Sequence, residues 1–133
     1  MRFEDAGAAW LRPHPLFSAV VVRAGLLHAV LGTASPEESA APLAELLDGP
    51  VFYSADACGL EAGYTVLLTV GAVRMWRMRG TTALDPTVLL LVPAPARQTP
   101  ADGPWWVVPP DGPGALCTRT LLVSLLGRGL GHA

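Results

Sequence analysis

Tyr64-Thr-Val-Leu-Leu-Thr-Val70, Gly71-Ala72, Val73-Arg-Met-Trp-Arg-Met-Arg79 and, after residues 80–86, Thr87-Val-Leu-Leu-Leu-Val92 form the stretch that decides the fold. Three short runs rich in β-branched, aromatic and leucine residues are separated by glycine and proline. Residues 65–70 and 87–92 are nearly unbroken apolar runs, which suit strands covered on both faces in the middle of a sheet. The middle run carries Arg74, Arg77 and Arg79, so part of it must reach water. Gly71-Ala72 reads as a tight turn or as a bulge within one long strand.

The flanking chain supplies cover for this meander. Residues 3–11 place Phe3, Ala6, Trp10 and Leu11 near one helical face, and Pro13 and Pro15 end that helix. Residues 16–23 read as a strand, Ala24-Gly25 as a turn and residues 26–31 as a second strand, a hairpin. Ser35-Pro36-Glu37-Glu38 is the clearest local signal. Ser35 caps, Pro36 suits the first helical position, and Glu38 reaches back to the cap. That helix runs to about residue 48 and stops at Gly49-Pro50, with Leu43, Leu46 and Leu47 inward and a kink or restart at Pro42. Residues 51–55 read as a short strand and 56–63 as a loop. The proline-rich insert of residues 93–114 holds one apolar island, Trp105-Trp-Val-Val108, limited by its flanking prolines to a short edge strand or an extended segment. Residues 116–128 form an amphipathic helix with Leu121, Leu122, Leu125 and Leu126 on one face. The expectation is an α+β fold. An antiparallel sheet of about five to six strands is covered by two to three helices, one pair of layers, in a single domain over residues 1–133.

Composition narrows the function classes. The 133 residues are 51% hydrophobic and 15% charged, enough for one core. No apolar run approaches the roughly 18 residues of a membrane span. Glu4 and Asp5 stand where a signal peptide would be basic and then apolar, so a cytoplasmic protein is expected. A net charge of −2 gives no reason to expect nucleic acid. All nine basic residues are arginine, and Lys, Ile and Asn are absent, a pattern of GC-rich codon usage that points to a bacterium.

Up to the proline-rich insert, the element order, with Ala19-Val-Val-Val-Arg-Ala-Gly-Leu-Leu-His28 followed by the Ser35 helix, is similar to the Roadblock/LC7 family and the wider profilin-like group. The resemblance implies a small domain running helix, two strands, helix, three strands, helix. Pro42 and the insert depart from that pattern. The segment Cys117-Thr-Arg-Thr-Leu-Leu-Val-Ser-Leu-Leu-Gly-Arg-Gly129 looks like the nucleophile helix of the transglutaminase-like peptidases that process lasso-peptide leaders. There the partner His and Asp follow the Cys; here only His132 does, and no acid.

Cys117 is expected to be a buried structural residue; the alternative is a nucleophile, whose thiolate the dipole of a helix starting there would favour. Asp56 and Glu61 flank Cys58 and form a candidate carboxylate pair, in a loop that needs polar residues anyway. No two of His14, His28 and His132 share metal-ligand spacing, neither cysteine lies in a CxxC, and the glycines match no nucleotide fingerprint, so no metal and no cofactor are expected. Arg74 and Arg77 with Trp76 between them suit an anionic ligand or partner, or a charge-protected edge strand. Of Trp105 and Trp106, one is expected in the core and the other at a protein contact unless the insert folds over it. The leading expectation is a non-catalytic interaction or regulatory module that forms a homodimer or binds another protein. The alternative is a small enzyme or ligand-binding domain using Cys117, or Asp56 and Glu61 with Arg74 and Arg77.

Overall fold

The computed structural model describes residues 8–12, 16–58, 61–85, 87–100, 103–110 and 116–130. Its elements are β1 (Ala8–Leu11), β2 (Ser18–Arg23), α1 (Ala24–Leu31), α2 (Pro36–Leu46), β3 (Val51–Cys58), β4 (Glu61–Leu68), β5 (Thr81–Ala83), β6 (Leu90–Pro93), β7 (Trp105–Val108) and α3 (Arg119–Leu130). The chain is α+β. Five antiparallel strands form one sheet in the order β5-β2-β4-β3-β7, and β1 pairs with β6 in a second sheet of two strands. Of the apolar run at residues 65–70, residues 65–68 are, as expected, at the sheet's centre, where residues 63–68 of β4 are all buried between β2 and β3, while residues 69 and 70 lie beyond the strand and are exposed.

Alternation divides the sheet's side chains between two cores. Val20, Val22, Val51, Tyr64, Val66, Leu68 and Trp105 face the helices, where Leu27 of α1, Leu43 of α2 and Leu122, Leu125 and Leu126 of α3 cover them. Ala19, Phe52, Leu67 and Trp106 face the other way, onto Val92, Leu11 and Leu90 of the two-stranded sheet, which adds a layer on that side.

The Ser35 cap is present. Ser35 Oγ accepts from the Glu38 N–H at 3.2 Å, and Glu38 Oε1 accepts from the Ala34 N–H at 3.1 Å. Pro42 does not break α2, which continues to Leu46. Several expected elements change. Residues 26–31 are helix, not the second strand of a hairpin, because Ala24-Gly-Leu-Leu-His-Ala-Val-Leu31 puts Ala24 and Leu27 on one buried face and Gly32, at φ 72°, caps it in the left-handed region. Residues 73–79 are turns, not a strand. Of residues 87–92 only the end is strand, and it pairs with β1 rather than lying centrally. Residues 8–11, expected as helix, are that partner strand; residues 3–7 lie outside the described residues. The loop expected at 56–63 is instead the end of the β3–β4 hairpin, closed by pairing of Cys58 with Glu61. Leu121, expected inward, is exposed.

Candidate functional site

Residues 69–80 form a loop that sorts its side chains by polarity. Ala72, Val73, Trp76 and Met78 pack against the helix-side core, while Arg74, Met75, Arg77 and Arg79 are exposed. Two anchors hold it. The Trp76 indole donates to Thr81 Oγ1 at 2.9 Å, and Thr81 Oγ1 donates to the Met78 carbonyl at 2.6 Å. From the start of α3, the Arg119 guanidinium donates to the carbonyls of Ala72 (3.0 Å) and Arg74 (2.6 Å) and stands 5.5 Å from the Trp76 ring centroid. Trp76 is therefore the platform for a cation of its own chain. Met75 sits at the tip with φ 56°, a left-handed conformation uncommon for a residue with a side chain, and is 84% exposed. Arg74 and Arg77 make no side-chain ion pair or hydrogen bond among the described residues.

The carboxylates singled out in the sequence do not meet. Glu61 pairs with Arg23 across the β2–β4 edge at 3.5 Å, beside an open depression of about 680 Å³ that Arg79 and Gly80 border from the loop. Asp56 lies by a separate cavity of about 290 Å³ between the two sheets. Nothing converges with Arg74 and Arg77.

Cys117 takes the buried, structural position. It precedes α3 and is fully buried, bridged to β4 through its N–H to the Leu67 carbonyl at 2.8 Å. Burial, with Asp48 adding to it, pushes its thiol up to about 12 from an ordinary 9.0, the opposite of dipole activation. The cap at this end of the helix is Asp48, whose Oδ1 accepts from the Thr118 N–H at 3.0 Å. Trp105 and Trp106 follow the alternative in which the insert folds over the second indole. They are 5% and 3% exposed, one on each face of β7. The start of the proline-rich insert folds over Trp106: its indole donates to the Pro93 and Ala94 carbonyls, both at 3.1 Å, and its backbone N–H to the Arg97 carbonyl. The exposed indole is Trp10, at 63%.

His28, the one histidine among the described residues, belongs to an internal network. Its Nε2 is 2.7 Å from the Tyr64 hydroxyl, which donates to Ser39 Oγ at 3.4 Å; Ser39 Oγ is also 2.8 Å from Thr33 Oγ1 and donates to the Ser35 carbonyl. The network ties α1 and α2 to β4, and burial pushes the Tyr64 phenol up to about 12. His14 and His132 lie outside the described residues, as does the Cys58 side chain. Among the described residues no group of three or more His, Cys, Asp or Glu is placed to hold a metal ion, and no helix is long and apolar enough to cross a membrane.

Comparison with protein-family models, with curated proteins and with solved structures finds no match.

Proposed function

We propose that the protein is a non-catalytic interaction module that pairs with a second copy of itself, and that the loop of residues 69–80 is its contact element. The observation that carries this reading is the exposed Arg74-Met75-Arg77 tip, held out by Arg119 and Trp76 with two unpaired guanidinium groups. Positioned cations around a polarizable apolar side chain suit an acidic, shallow surface. The chain carries such a surface on the outer face of α2. Glu37, Glu38 and Glu45 are exposed there, with Ala41 and Ala44 among them, small enough to let a loop approach.

Sedimentation velocity tests the reading. The wild type should associate, and salt should weaken the association, because rim charges are screened within about 10 Å at 0.1 M ionic strength. Arg74→Glu with Arg77→Glu should give monomer. Adding Glu37→Arg with Glu45→Arg to that chain should restore association. A wild type that stays monomeric at high concentration rejects the self-partner, and pairing that ignores the arginine reversal rejects the loop.

A further inference from the structure

The cavity between the two sheets has polar groups that the fold leaves unused. On the face of the large sheet away from the helices, one row of side chains crosses Val21, Thr65 and Phe52. The next row toward the β3–β4 turn holds Gly63 opposite Ser54. Gly63 contributes no side chain and Ser54 a small one, and a cavity of about 290 Å³ lined by Ser54 and Thr65 lies on this face. Thr65 is 1% exposed and Ser54 is buried, yet neither hydroxyl has a hydrogen-bond partner among the described residues. Neither oxygen is sealed off without a partner, so both open onto the cavity.

The rest of the lining is largely apolar and includes Leu84, Leu90, Leu91, Trp10, Val88 and Leu89. Those last three are exposed large apolar side chains placed together. Asp56 lines the same cavity, exposed, with no ion pair or hydrogen bond among the described residues. The cavity is thus mostly apolar in its lining, with two hydroxyls, one exposed carboxylate and one exposed indole. Its volume is at the lower end of small-molecule sites and far below what a helix or strand of a partner needs.

We propose that this cavity is a binding site for a small primary amine carrying an aromatic or branched aliphatic body. The body lies between the sheets against Leu90 and Leu91. The ammonium sits where Asp56 accepts its hydrogen bonds and the Trp10 face attracts its charge. The site is independent of the arginine loop, which lies at the helix side of the sheet.

The probe is 2-phenylethylamine, with 2-phenylethanol and 3-phenylpropanoate as its neutral and anionic counterparts, followed by backbone amide NMR on the full chain. The amine should shift the signals of Ser54, Asp56, Thr65 and residues 89–91 saturably, and the carboxylate should not. Asp56→Asn, a surface change that leaves the fold intact, should weaken the amine about tenfold, the scale of one charge-assisted hydrogen bond. Ser54→Leu should fill the cavity and abolish binding while the Trp105 and Tyr64 signals stay in place. The arginine-loop variants should bind the amine as the wild type does. No saturable shift at millimolar amine, equal binding of amine and carboxylate, or an Asp56→Asn chain that binds unchanged would overturn the proposal and leave an ordinary water-filled cavity.

Discussion

Arg119 binds the loop of residues 69–80 from both sides of its turn: its guanidinium donates to the Ala72 and Arg74 carbonyls and covers the Trp76 ring at 5.5 Å. A lysine has the charge but not the planar fork that reaches two carbonyls while stacking. Arg119→Ala should therefore loosen the loop while the sheet holds. The expected loss is about 1 kcal/mol in global stability, with faster hydrogen exchange confined to residues 72–76. Arg119→Lys should restore little of the protection. Exchange in that segment unchanged by Arg119→Ala would show that Trp76 and Thr81 hold the loop alone.

Tyr64→Phe removes one hydroxyl from a fully buried ring and takes away the partner of His28 Nε2. The cost should be about 1–2 kcal/mol, read from the urea midpoint, since the ring's packing is kept and one buried polar atom is stranded. A His28→Phe, Tyr64→Phe pair should cost less than the sum of the two single changes, because they share the bond.

Gly49 is a glycine for lack of room. A Cβ there would stand 2.6 Å from the Leu116 carbonyl carbon and 2.9 Å from the Cys117 Cα. Both are backbone atoms held to β4, so neither can turn aside as a side-chain end would. Gly49→Ala should destabilise by about 1–3 kcal/mol. Thermal unfolding at an unchanged temperature would mean that the bridge of Cys117 to β4 can shift at no cost.

Two buried acids give an alkaline signature. The Cys117 thiol is raised from 9.0 and the Tyr64 phenol from 10.0, each to about 12, and burial is the first cause of both. A raised folded value favours the protonated form, so this stability is complete below pH 9 and is lost as pH climbs toward 12. The denaturant midpoint should fall across that window. Cys117→Val and Tyr64→Phe should each flatten the fall, whatever they do to the value at neutral pH. In a Cys58→Ser background the native chain should react slowly with thiol reagents at pH 8; fast reaction without unfolding would return Cys117 to the list of nucleophiles.

Features set by near neighbours in the chain were legible in the sequence. The Ser35 cap closes within three residues through Glu38, and the all-buried run of β4 declares a central strand because every second residue must face each core. Prolines beside Trp105-Trp-Val-Val108 confined that segment to an edge, where β7 lies. Tertiary structure decided what depended on distant partners. Residues 26–31 are apolar enough for strand or helix, and a buried face shared with α3 and β4 selects helix. Residues 87–92 look like a central strand, but β2 and β3 already flank β4, so the run pairs with residues 8–11 instead. The arginine-rich residues 73–79 resemble a charge-protected edge strand, but Arg119, far along the chain, holds the carbonyls of Ala72 and Arg74 in a turn. Whether Trp106 would face water rested on where residues 93–97 run, and the cavity at Ser54 and Thr65 lies where small residues of two strands, β3 and β4, fall in neighbouring rows under a second sheet. Local hydrogen bonds and periodicity are written in consecutive residues; cover, exposure and cavities arise from which surfaces meet, and that is settled only when the whole chain packs.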